Sequence, residues 1–254
     1  MADTPIDRTM IAVSGDDRVS FLQGLVTNDL PQQGGGLVYA ALLSPQGKYL
    51  ADFFLYATGD SLLLDVKSSL AEGLLRRLSM YRLRARVGIT ALSLQVTGGI
   101  GNAPAGSFAD PRHPAMGWRT YGPAPAAPAV DWDALRVAHC IPESGIELIP
   151  DETYILEAGF ERLHGVDFRK GCYVGQEVTA RMKHKTELRK GLVRVAIAGQ
   201  APVGTPILAE GRPVGTLFTC SKDHALAHLR FDLATGPLTA SDATIFFRAD
   251  QQPS

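Results

Sequence analysis

Two apolar, aromatic-rich runs, LVYAALL at residues 37–43 and YLADFFLY at 49–56, are separated by Ser44-Pro45-Gln46-Gly47. Proline and glycine stand where a tight turn wants them, so the runs are expected to fold back on each other as antiparallel strands. A second turn at Thr58-Gly59-Asp60 leads to a third strand, SLLLDV at 61–66. Upstream, TMIAVS at 9–14 reads as a strand. Gly15 and Asp16 then turn the chain into a helix carrying Val19, Leu22, Leu25 and Val26 at helical spacing, which stops near Thr27-Asn28-Asp29. Leu70, Leu74, Leu75 and Leu78 mark an amphipathic helix, and residues 84–97 supply two more strands. Helices segregated among antiparallel strands predict an α+β fold, not a doubly wound parallel sheet.

Composition shifts at 98–130, where glycine, proline and alanine dominate, and this stretch reads as loop or linker. A helix resumes at Asp131 with Trp132, Leu135 and Ala138 on one face, and Cys140 after it reads as buried. Beyond Leu188 the chain becomes short strands with turns at 199–204, 210–213 and 221–223, ending in ATIFFR at 243–248. That pattern predicts a small antiparallel barrel or sandwich, and divides the chain into residues 1–188 and 189–254.

With 25 basic and 26 acidic residues the formal net charge is −1, which offers no general pull toward nucleic acid or an anionic membrane. No stretch approaches the ~20 apolar residues of a membrane span. The opening MADTPIDRTM reads as neither signal nor transit peptide. Three cysteines, Cys140, Cys172 and Cys220, cannot all pair within one chain, and none lies in a CxxC. A reducing compartment follows, taken here as the cytoplasm, and a structural zinc site or resident four-thiolate cluster is disfavoured.

Residues 170–177 read Lys-Gly-Cys-Tyr-Val-Gly-Gln-Glu, after Gly165-Val166-Asp167-Phe168. Gly171 and Gly175 permit backbone angles and close approaches that other residues resist, so Cys172 is placed on a sharp loop. From Val174 onward, Gln176, Glu177 and Val178 can start a helix. A thiol near that helix start, with Lys170 beside it, suits a nucleophile or a soft-metal ligand. By residue type alone, a buried cysteine in a glycine-rich turn is the plainer reading.

The run KGCYVGQE, continued by Thr179-Ala180-Arg181 and His184, resembles the signature of the YgfZ-type folate-binding proteins and their iron–sulfur assembly relatives. FLQGLVTNDL (21–30), the Pro-x-Gly-Lys turn at 45–48 and YRLRARV (81–87) resemble the same family. The resemblance implies a three-lobed clover leaf around a central folate hole, with two interleaved lobes from 1–188 and a barrel from 189–254. It implies a tetrahydrofolate-binding monomer that helps client iron–sulfur proteins acquire or keep clusters, using Cys172. Lys170 and Arg181 are expected to supply positive charge near that thiol. Gln176 and Glu177 position the loop, with Tyr173 among the working residues.

Glycine-cleavage aminomethyltransferases resemble the chain too, which makes a folate-dependent one-carbon transferase the alternative. Their catalytic aspartate would fall at Gly73 or Leu74, however, so aminomethyl transfer is not expected. By the same resemblance Glu157 would grip a pterin, with Asn28, Tyr49, Phe53 and Tyr81 near the hole. Arg82, Arg84 and Arg86 alternate, so on a strand they share one face, suited to a folate's anionic tail or simply to solvent. His224 and His228 are read as lying on a solvated strand face.

Overall fold

The predicted turn closes: the Gly47 N–H donates to Ser44 O at 2.8 Å, with Gly47 at φ +75°. The structure, a computed structural model, describes residues 6–123, 128–184 and 188–248. The chain forms two compact units. One comprises the residues up to Val130 together with Leu163–Val178; the other comprises Asp131–Arg162 and the residues from Thr179 onward.

In the first unit, β1 (Arg8–Ser14) is followed by a short helix α1 (Arg18–Gln23), then by β2 (Val38–Leu43), β3 (Tyr49–Ala57) and β4 (Ser61–Lys67). Helix α2 (Ser68–Arg82) and β5 (Gly88–Leu92) follow. The sheet is antiparallel throughout, in the order β2-β3-β4-β1-β5. Alternation decides which side each residue covers. Ile11 and Val13 join Leu22 of α1 and Ala71, Leu74 and Leu78 of α2 in the main core, while Met10, Ala12 and Leu63 face the other way. Helix α1 is shorter than its apolar spacing predicts: it stops before Gly24, with Val19 inside it on the surface and Leu25 and Val26 buried beyond it.

Much of the stretch expected to be a linker, residues 98–130, carries a sheet, while its residues 124–127 lie outside the described residues. Strands β6 (Val96–Gly99), β7 (Phe108–Ala109) and β8 (Trp118–Tyr121) pair in the order β6-β8-β7. Val96 and Tyr121 pack on the face that Met10 and Leu63 present. Glycine at 99 serves packing, because a Cβ there would lie 2.4 Å from the Trp118 ring.

This sheet also carries a buried chain of charges. Asp65 accepts from Arg8 Nε at 2.6 Å and from Arg119 Nη1 at 3.1 Å. Asp110 accepts from Arg119 Nε at 3.3 Å and from Arg112 Nη2 at 2.8 Å. The three guanidiniums stack over Phe54, with Arg119 at 4.0 Å from the ring centroid. Burial opposes both carboxylates, yet Arg112 and Arg119 hold Asp110 down at about 2. Arg8 and Arg119 likewise lower Asp65 against its burial. A carboxyl depressed on folding contributes stability that is present above its unfolded pKa of ~3.9 and lost as pH falls through the folded value. The melting temperature should therefore keep the contribution of these two groups from pH 7 down to about 5, then lose it progressively toward pH 2. A circular-dichroism melt series across that range checks it.

In the second unit, α3 (Trp132–His139) is capped by Asp131 Oδ1, which accepts from Ala134 N at 2.9 Å. Its buried face is Arg136 and Val137, not Trp132, Leu135 and Ala138. Arg136 turns the helix inward by donating to Glu147 Oε2 and Thr219 Oγ1, each at 3.0 Å. Helix α4 (Gln176–His184) begins in the first unit and enters the second at Thr179; β9 (Lys190–Ala198), β10 (Pro206–Ala209), β11 (Arg212–Ser221), β12 (His224–Arg230), β13 (Leu238–Ala240) and β14 (Ala243–Phe246) follow. These six strands close a barrel in the order β10-β11-β12-β9-β14-β13. No described helix is long and apolar enough to cross a membrane.

Candidate functional site

The last carbonyls of a helix have no partner within it, and α1 is only six residues long. Donors come from far along the chain. Lys170 Nζ donates to the carbonyls of Gln23 (2.9 Å), Val26 (2.5 Å) and Asn28 (3.0 Å). Around it, Thr27 Oγ1 donates to Gly165 O at 2.7 Å, Asp167 N donates to Thr27 O at 3.1 Å, and Val174 N donates to Gly24 O at 3.2 Å. Asn28 Nδ2 donates to His164 O at 2.7 Å and to Tyr39 O at 2.9 Å. Residues 164–174 are thereby laced to the turn after α1. Burial pushes the Lys170 ammonium down to about 8, with Asp29 and Asp167 opposing the shift. The Lys170 ammonium is thus directed at three backbone carbonyls inside the fold.

The other end of the loop is held by contact between glycines. Gly175 sits at φ +84°, and a Cβ there would lie 2.6 Å from Ser44 O and 2.9 Å from Leu43 Cβ. A Cβ on Gly47 would in turn lie 2.7 Å from Val178 Cβ. The loop thus docks on the β2–β3 turn. Gly171 has no such constraint, since a Cβ there would meet nothing within 4 Å. Gly175→Ala should cost about 2–4 kcal/mol through strain and clash, lowering the melting temperature by roughly 4–16 °C. Gly171→Ala should stay within ~0.5 kcal/mol. Parallel thermal melts distinguish the two.

Between these anchors Cys172 is exposed and unpaired with any other cysteine, which removes the buried-cysteine reading. Tyr173 is buried, 5.2 Å from Lys170 Nζ to the ring centroid. Gln176 is half-buried at the start of α4, while Glu177 and Arg181 lie exposed along it. Among the described residues, no group of three or more His, Cys, Asp or Glu is arranged to hold a metal. Of the other two thiols, Cys220 is exposed and Cys140 is part-buried, its pKa pushed up by burial to about 11.

Beside the loop, Asn28, Asp29, Leu37, Tyr39, Pro111 and His164 help line a cavity of about 390 Å³. Among the described residues that line it, Asn28 is the only predicted folate contact. Tyr49 is fully buried, donating from its hydroxyl to Asp52 Oδ1 at 2.6 Å, and Phe53 belongs to the core. Tyr81 and Arg82 end α2, and Arg84 follows in a turn, so the expected strand alternation of Arg82, Arg84 and Arg86 does not exist. Glu157 lies in the second unit, neither solvated nor helical. Its Oε2 meets His228 Nε2 at 3.3 Å and Lys190 Nζ at 3.4 Å. His228 therefore has a buried partner, which its expected solvated face did not provide. On α2, Leu74 faces the core and Glu72 pairs outward with Arg76 at 2.8 Å. Thr27 and His164 were missed; Thr27 sits inside the VTND text at 26–29, but nothing in sequence marks the position of His164.

A mixed sheet-and-helix body with a closed terminal barrel defines a class seen before. Residues 189–252 match the family model described as CAF17, C-terminal beta-barrel domain. The glycine cleavage system aminomethyltransferase T from Bartonella henselae superposes with TM-score 0.76, covering 95% of this chain and 82% of that one. At 15% identity this likeness shows the fold alone.

The chain belongs to the family of iron-sulfur cluster assembly factors IBA57. It is 33% identical over 279 residues to the mitochondrial IBA57 of Homo sapiens and 32% identical to that of Mus musculus. Each match covers 91% of this chain and 78% of the relative. The Mycosarcoma maydis homolog is 35% identical over 230 residues; there the match takes in 77% of this chain but 57% of the relative's length. The cytoplasmic placement expected from the thiols is overturned, because these relatives are named as mitochondrial proteins. Unpaired cysteines separate reducing from oxidising compartments and do not distinguish one reducing compartment from another.

Proposed function

We propose that this chain supports the assembly or repair of iron–sulfur clusters, that it works through the Cys172 thiol, and that it binds a reduced folate such as tetrahydrofolate. The observation that carries the reading is the exposure of Cys172 on a loop fixed at both ends. Thiolates are the ordinary ligands of iron–sulfur iron. One cysteine cannot complete a cluster, so the remaining ligands come from a client protein or assembly factor. Relatives named for cluster assembly support the same role. Deleting the chain should lower 4Fe–4S enzyme activities while their polypeptide levels hold; unchanged activities would refute the role.

For the folate, the cavity falls within the ~300–1,000 Å³ of small-molecule sites. Its residues fit a flat polar heterocycle, with Leu37 and Pro111 as apolar walls and Asn28, Asp29 and His164 as polar edges. A tetrahydrofolate held there would supply one-carbon chemistry. Asp29 takes over the carboxylate role expected of Glu157. A ligand that binds only the folded chain stabilises it by about 2.7 kcal/mol at a hundredfold excess over Kd, or roughly 5–10 °C. Tetrahydrofolate should give that shift, and p-aminobenzoyl-glutamate, which lacks the pterin, should give less. No shift with any reduced folate removes folate from the function. Aminomethyl transfer is disfavoured because α2 presents Leu74 inward and Glu72 to Arg76.

A further inference from the structure

Helix α2 packs Ala71, Leu74 and Leu78 inward, yet its final turn carries two large apolar side chains in water. Met80 is 71% exposed and Leu83, just past the helix, is 88% exposed. Leu83 adopts φ 43°, ψ −106°, a region that glycine enters freely and a leucine does not. The fold keeps an exposed leucine in a strained backbone, where glycine would relieve the strain. Arg82 and Arg84, on either side of it, are exposed and form no ion pair among the described residues. Residues 72–84 hold four arginines, and the one carboxylate among them, Glu72, is taken by Arg76.

We propose that this tip is a docking surface for an acidic protein, with Leu83 and Met80 entering an apolar pocket and Arg82 and Arg84 meeting carboxylates at its rim. Guanidinium forks match carboxylates in bidentate geometry, and all four cations here are arginine. An anionic bilayer fits less well. Interfacial helices lay an apolar stripe into lipid, whereas the stripe of α2 is already covered by the sheet. The proposal stands independently of the thiol and the folate.

A photo-crosslinking amino acid in place of Met80 identifies the protein contacted in cells, and the captured protein is then purified and titrated. The crosslink is expected on an acidic face, with affinity falling at least tenfold in Arg82→Glu/Arg84→Glu and falling with added salt. Leu83→Gly should also weaken binding at least tenfold while its melting temperature stays equal or rises, a combination that a merely structural leucine would not give. Failure to crosslink, a basic or neutral crosslinked face, or less than a twofold change in both variants overturns the proposal. Charge-dependent binding of the chain to phosphatidylglycerol vesicles, without a protein partner, also overturns it.

Discussion

Cys172→Ala is expected to abolish rescue of 4Fe–4S enzyme activity in cells lacking the chain, while the melting temperature moves by no more than about 1–2 °C. The small thermal effect follows from exposure, since surface changes away from packing and caps usually stay within ~0.5 kcal/mol. The loop's position does not depend on the thiol. Lys170 and Val174 hold it to the turn after α1, and Gly175 holds it to the β2–β3 turn. What the variant lacks is the one soft ligand or nucleophile that this loop presents. Full rescue would sink the assignment of Cys172. Joint loss of rescue and stability would return the residue to a packing role.

The second large effect concerns a side chain far from that thiol in its chemistry. Asp65→Asn should lower the melting temperature by roughly 6–20 °C, corresponding to about 3–5 kcal/mol for breaking a buried pair. Asp65 is fully buried and is shared by Arg8, Arg119 and the Tyr121 hydroxyl. Asparagine keeps the shape but leaves two guanidiniums facing a neutral amide in a site closed to water. Replacing Asp65 and Arg8 together by Leu and Met should cost less than the sum of the single changes, because the pair would leave no orphaned charge between them. A melt of Asp65→Asn within 2 °C of wild type would show that the network contributes little.

The strands of the five-stranded sheet and the barrel were legible because turn chemistry and period-two apolarity are local signals. The sheet at β6–β8 was not. Its glycines and prolines imitate a linker, and its stabilising residues, Asp110, Arg112 and Arg119, look like surface charge until Asp65 and Phe54 are seen beneath them. The face of α3 was misjudged for the same reason, since a buried arginine outweighed the apolar spacing. In the site, the glycines around Cys172 announced a loop, and the structure separates Gly175, which must be glycine, from Gly171, which is unconstrained. The use of Lys170 could not be read, because its partners are main-chain carbonyls more than a hundred positions away, and carbonyls leave no mark in a sequence.

The division into units imposes an order on synthesis. Asp131–Arg162 belongs with residues that begin at Thr179. Val137 and Ile146 complete their packing only against Leu192, Phe218 and Leu226. At ~5–20 residues per second a ribosome takes several seconds to travel from one to the other. Meanwhile Leu163–Val178 emerges and can already close the first unit. For that interval the nascent chain carries a finished unit, the cysteine loop included, beside an unburied apolar segment, so a chaperone that shields residues 131–162 would act before the barrel exists.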